Sequence, residues 1–95
     1  MNKIIVACGT GIATSTSVIE QIRQYLEDNG YKAEFYQCRT SEIASQIQSV
    51  NPDVIVSTAE VNLDTEIPIL RGVPFLTGIG AEEVNEEIKS YLRRG

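Results

Sequence analysis

Apolar positions along this chain follow two rhythms, short β-branched runs and wider helical spacings, and the two alternate. Lys3-Ile4-Ile5-Val6-Ala7 predicts a first strand. From about Thr14 to Asn29, Val18, Ile22, Tyr25 and Leu26 fall at i, i+4, i+7 and i+8, the spacing of one buried helix face, with Gly30 as its C-terminal cap. A second strand is predicted over Ala33–Cys38, with Ala33, Phe35 and Gln37 on one side and Glu34, Tyr36 and Cys38 on the other. Thr40 or Ser41 is placed to cap a short helix with apolar face Ile43, Ile47 and Val50, which Asn51-Pro52 ends. Asp53–Ser57, with β-branched Val54-Ile55-Val56 at its centre, reads as a strand buried on both sides.

Between Thr58 and Thr65 the chain turns polar and irregular, which predicts a loop. Ile67-Pro68-Ile69-Leu70 and Val73-Pro74-Phe75-Leu76 predict a fourth strand and a short fifth, confined by their prolines to a sheet edge or to strand starts. The last helix is expected over Ala81–Arg93, burying Val84, Ile88 and Leu92 with Tyr91 beside them. Glu82 and Glu83 at its start, and Arg93 and Arg94 at its end, suit the helix dipole. Strands alternating with helices imply an α/β fold. It should have a parallel sheet, right-handed crossovers and helices on both faces. Ligands in such folds bind beyond the carboxyl ends of the strands, where strand order reverses. The loop after the first strand is the natural place for that.

Composition changes the picture mainly by exclusion. Ninety-five residues suffice for one domain, 1–95, and one core. A net charge of -5 offers no footprint for nucleic acid or an anionic membrane surface. Histidine is absent, so imidazole catalysis and histidine metal ligation within the chain are excluded, and neither a metal nor a cofactor is expected. The opening Met1-Asn2-Lys3 leads straight into a short apolar run, neither a signal peptide nor a membrane span, and the expected compartment is the cytoplasm. Cys8 and Cys38 are too few and too far apart for a zinc site or a disulfide scaffold.

The chemistry concentrates at Cys8, followed by Gly9-Thr10-Gly11-Ile12-Ala13-Thr14-Ser15-Thr16. A loop of small residues opening a helix gathers unpaired amides at the positive end of the helix dipole, which binds anions and favours thiolate over thiol. Cys8 therefore reads either as a small buried hydrophobe or as a nucleophile within a phosphate-sized cradle. Thr10, Thr14, Ser15 and Thr16 read as a helix cap or as hydroxyl donors to phosphate, and Gly9 and Gly11 permit close backbone approach. A dinucleotide fingerprint fails for lack of its third glycine, with Glu34 in mid-strand where the acidic residue is wanted. An ATP-binding P-loop fails for lack of Gly-Lys-Ser/Thr. The cysteine-phosphatase loop, Cys-x5-Arg-Ser/Thr, is met except for its arginine, which Thr14 replaces. Losing that bidentate clamp argues for relay of a phosphoryl group rather than its hydrolysis. Cys38 reads as structural or as a redox partner of Cys8, and Arg39 as a phosphate contact or an exposed strand-end charge.

Ala7-Cys8-Gly9-x3-Ala13-Thr14-Ser15-Thr16 resembles the active-site loop of the galactitol-type IIB component of the bacterial sugar phosphotransferase system. The likeness continues through Gln37-Cys38-Arg39, Ser57-Thr58-Ala59 and Gly72-Val73-Pro74-Phe75-Leu76-Thr77-Gly78. It implies a small open parallel four-stranded sheet, order 2-1-3-4, like that of low-molecular-weight phosphotyrosine phosphatase. Cys8 would be phosphorylated by a phosphohistidine of a IIA partner, with Gly9, Thr10, Gly11, Ile12, Ala13, Thr14 and Ser15 holding the phosphate. The group would pass to a galactitol-like sugar alcohol brought by the membrane component IIC, which would recruit this protein to the inner face of the membrane. Thr10, Ile12, Ala13 and the loop Glu60–Asp64 are candidates for the partner-facing rim. The alternatives are a cysteine phosphatase-like enzyme and an anion-binding module with an unreactive cysteine.

Overall fold

The computed structural model describes residues 2–8, 12–61 and 63–92, and of residues 12–15 the backbone only. Its elements are β1 (Asn2–Cys8), α1 (Ile12–Asp28), β2 (Ala33–Arg39), a 3-10 turn (Thr40–Glu42), α2 (Ile43–Val50), β3 (Val54–Ser57), β4 (Ile69–Arg71), α3 (Val73–Thr77) and α4 (Ala81–Ser90). The strands form a four-stranded sheet in the order β2-β1-β3-β4, every neighbouring pair parallel, as expected.

Alternation along the strands sorts the core onto two faces. Ile4 and Val6 of β1 and Val54 and Val56 of β3 pack beneath Val18, Ile19, Ile22 and Leu26 of α1, with Phe75 of α3 and Ile88 of α4 closing the same layer. Ile5, Ala7 and Ile55 face the other way, onto Ile43 and Val50 of α2. Ile4–Ala7 of β1 and Val54–Val56 of β3 are therefore apolar without interruption, because each stretch is covered on both sides. A fully buried Ile or Leu contributes about 1.5–3 kcal/mol, so these two layers supply most of the drive to fold.

Helix ends follow local chemistry. At the end of α1, Gly30 takes φ 81°. The Tyr31 N–H then reaches the Leu26 carbonyl at 2.8 Å and the Gly30 N–H reaches that of Glu27 at 3.2 Å, the paired bonds of a Schellman cap. The turn after β2 differs from expectation. Neither Thr40 nor Ser41 caps it by its side chain; the Arg39 N–H donates instead to the Glu42 carboxylate at 3.0 Å. A carboxylate accepts such a bond more strongly than a hydroxyl does.

The predicted fifth strand is a helix. Val73–Thr77 forms α3, with Pro74 in its first turn, where a missing N–H has no intrahelical partner to lose. Gly78 ends it at φ 79°, its N–H reaching the Pro74 carbonyl at 2.9 Å. Phe75 is buried, and the Gln21 side-chain amide donates to its carbonyl at 2.8 Å, tying α3 to α1. α4 closes at Ser90, short of the expected end; Leu92 is still buried beyond it, while Tyr91 is exposed. Arg93 and Arg94 lie outside the described residues.

Candidate functional site

Cys8 is the last residue of β1, the inner strand between β2 and β3, and is 3% exposed. From β1 the chain runs through α1 to β2 on one side, then crosses through α2 to β3 on the other. The reversal of strand order thus falls at the carboxyl end of β1, the place such sheets offer to ligands. α1, 17 residues long, opens at Ile12, so its N-terminus lies at this same end of the sheet. The first four amides of a helix have no intrahelical acceptor, and the dipole there is positive.

The neighbouring strand ends complete the surroundings. Arg39 at the end of β2 is the register partner of Cys8, and Ala7 is flanked by Cys38 and Ser57. Beyond β3 the ladder continues, with the Thr58 N–H donating to the Ala7 carbonyl at 3.1 Å and the Gly72 N–H to the Ser57 carbonyl at 2.7 Å. Ser57 Oγ donates to the Ala59 carbonyl at 2.7 Å and accepts from the Ala59 N–H at 3.2 Å, which closes the turn after β3. On the far side, the Gln37 amide donates to Thr16 Oγ1 of α1 at 3.5 Å. The predicted cradle itself, Gly9, Thr10 and Gly11 with the side chains of Ile12, Ala13, Thr14 and Ser15, lies outside the described residues.

A family model described as "PTS system, Lactose/Cellobiose specific IIB subunit" matches residues 3–88. The chain belongs to the IIB family of the phosphotransferase system. It is 38% identical over 92 residues to the IIB component SgcB of Escherichia coli strain K12, spanning 97% of this chain and 98% of that one. It is also 38% identical to the galactitol-specific EIIB component of the same organism, over 96% of both chains. The galactitol-specific EIIB component of Shigella flexneri is 37% identical, again over 96% of both.

In this IIB chain the two cysteines stand on opposite faces of the sheet. Cys38 packs against the α2 layer, whereas alternation from Ile4 and Val6 puts Cys8 on the α1 layer, so a redox pair is not what this geometry favours. Burial, and secondarily the charge of Glu42, pushes the Cys38 thiol up from its ordinary value, the reverse of activation. Asp53 acts as a loop cap just ahead of β3: its carboxylate accepts from the Lys3 N–H at 2.9 Å. Of the proposed rim, Glu60 and Asp64 are exposed and Asn62 lies outside the described residues.

Two further surface cavities lie elsewhere, about 390 Å³ beside Arg23, Leu26 and Phe35 and about 500 Å³ beside Glu20, Tyr25 and Asn85; neither is lined by Cys8. Among the described residues no cluster of three or more His, Cys, Asp or Glu is placed to hold a metal ion, and no helix is long and apolar enough to cross a membrane. What the sequence pattern alone did not bring forward is Gly72. A Cβ there would meet Thr58 Cγ2 and Val56 Cγ1 at 3.1 Å, so this glycine lets the β4–α3 connection press onto the end of β3. The signals in the letters are a glycine directly before Val73-Pro74 and its place at the head of the Gly72–Gly78 segment of the family likeness.

Proposed function

We propose that this IIB protein carries a phosphoryl group on Cys8, taking it from a phosphohistidine of a IIA partner and giving it to a sugar alcohol presented by a membrane IIC partner. The observation that carries this reading is the position of Cys8: at the carboxyl end of β1, at the reversal of strand order, directly ahead of the N-terminus of α1. A thiolate there attacks phosphorus in line, the P–S bond forms as the P–N bond breaks, and the electron pair returns to the imidazole nitrogen. In the second transfer the acceptor hydroxyl oxygen attacks, the P–S bond breaks, and the thiolate is regenerated while the hydroxyl proton leaves to a base on the acceptor side or to solvent.

Nothing in this scheme requires a base from the IIB chain. The donor arrives activated, and the helix dipole and loop amides favour negative charge on both sulfur and phosphate. Positioning and electrostatics supply most of such catalysis. The loop Gly9–Ser15 is the phosphate-holding segment in this reading, in a protein of the cytoplasm drawn to the membrane through IIC. Likeness to galactitol-specific relatives supports galactitol or a similar alditol as final acceptor.

The test is phosphorylation by the phosphorylated IIA donor, with the modified residue located by mass spectrometry. One phosphocysteine at Cys8, absent from Cys8→Ser, is the expected result. Label that persists in Cys8→Ser overturns the proposal, and steady hydrolysis of an aryl phosphate without any acceptor protein would instead establish a phosphatase.

A further inference from the structure

The phosphoryl-carrier reading leaves Arg39, the charged group at the end of the strand beside β1, without a task. Arg39 closes β2 and is the register partner of Cys8 in the adjacent parallel strand. Register partners in a parallel pair project from the same face, on strands about 4.8 Å apart. The packing bears this out along the whole pair: Ile4 and Phe35 share the α1 layer, and Ile5 and Tyr36 share the α2 layer. Cys8 and Arg39 therefore lie side by side on the α1 face, at the end of the sheet where α1 begins.

Three observations make Arg39 more than a solvated strand end. Its side chain is exposed and forms no ion pair among the described residues, whereas Arg23 is paired with Glu20 and Lys89 with Glu86. Its backbone is held, because the Arg39 N–H donates to the Glu42 carboxylate at 3.0 Å, which anchors the stem and leaves the guanidinium to reach elsewhere. Arg71, the cation at the end of β4, provides the contrast: it lies two strands from β1 in the sheet order and pairs with Ser57 on the opposite face.

We propose that Arg39 supplies the cation that meets the phosphoryl group at Cys8, approaching from β2. This rests on the phosphoryl-carrier reading and deepens it. The loop after Cys8 lacks the arginine that a cysteine phosphatase carries there, and a guanidinium on the next strand substitutes charge from the side. From that rim position it attracts the incoming dianion and spreads its charge while the P–N bond breaks and the P–S bond forms. Bidentate hydrogen bonding is what a guanidinium adds beyond charge alone.

The experiment uses the whole chain and two alkylating reagents of opposite electrostatic demand, iodoacetate and iodoacetamide, with modification followed at the Cys8 peptide by mass spectrometry. A cation beside the sulfur accelerates the anionic reagent selectively. Arg39→Gln should lower the iodoacetate-to-iodoacetamide rate ratio at Cys8 about fivefold at low ionic strength, and Arg39→Lys should retain most of it. Arg71→Gln should change the ratio far less. With the phosphorylated donor, Arg39→Gln should slow labelling of Cys8 by about tenfold with the final extent of labelling kept, and Arg39→Lys should restore only part of the rate. An unchanged reagent ratio in Arg39→Gln, or an equal fall in Arg71→Gln, overturns the assignment. So does a ratio in Arg39→Lys as low as in Arg39→Gln, which would mark a structural role. Absence of phosphate on Cys8 of the unaltered protein would remove the carrier function while leaving the reagent ratio to report on Arg39 alone.

Discussion

Two thiols in one small sheet stand in different surroundings because they face opposite ways. Cys38 is half-buried against the α2 layer, where desolvation and then Glu42 raise its pKa and keep it protonated near neutral pH. Cys8, one strand away, faces the layer that α1 covers from its positive end. Iodoacetamide at pH 7 should therefore modify Cys38 more slowly than a free model thiol, and Cys38→Ala should accept phosphate as the unaltered chain does. Loss of phosphorylation in a folded Cys38→Ala would mean that the second thiol takes part in transfer.

At the level of elements, the segment after β4 shows how a glycine and a proline turn an apolar run into something other than a strand. Gly72 lies against Val56, Ser57 and Thr58, and α3 then begins with Pro74 in its first turn. Val56 is fully buried and the neighbouring Ser57 contact is backbone, so a methyl group added at Gly72 has little room to be absorbed. Gly72→Ala should cost about 1–3 kcal/mol, read as a lower midpoint in urea with an unchanged slope. A variant as stable as the parent would show that the β4–α3 connection moves aside freely. α3 is short, and its attachment rests on buried Phe75 and on the Gln21 bond to the Phe75 carbonyl. By contrast, α1 is secured along its length by Val18, Ile19, Ile22 and Leu26 with Tyr25 packed beside them, the stripe that its sequence spacing predicts with Ile19 added.

For the molecule as a whole, the decisive pairing joins segments far apart in the chain. β1 and β3 come together parallel, and at their amino ends Asp53 clasps Lys3 twice: the Lys3 N–H donates to the Asp53 carboxylate at 2.9 Å, and the Asp53 N–H donates to the Lys3 carbonyl at 2.8 Å. Removing the carboxylate in Asp53→Ala should cost about 1–2 kcal/mol in chemical denaturation, while Asp53→Asn, which keeps an acceptor, should recover part of it. Equal losses in the two variants would show that charge rather than the acceptor matters.

The strands β1 to β3, helices α1, α2 and α4, and the parallel class of the sheet are legible from periodicity, because each depends on which local positions must be buried. Cys8 stands out the same way, as a thiol between an apolar strand and a glycine-rich helix start. Other features depend on contacts between segments that no local pattern encodes. α3 replaces a strand because Pro74 fits a first helical turn there and Phe75 finds a core position. Arg39 becomes a neighbour of Cys8, and Cys38 does not, through the register and pleat of β2 against β1. From the sequence alone, a cysteine at the end of a strand was readable. Which charge stands beside it was decided by strand pairing, since a shift of one residue in register would have turned Cys38 toward it and Arg39 away.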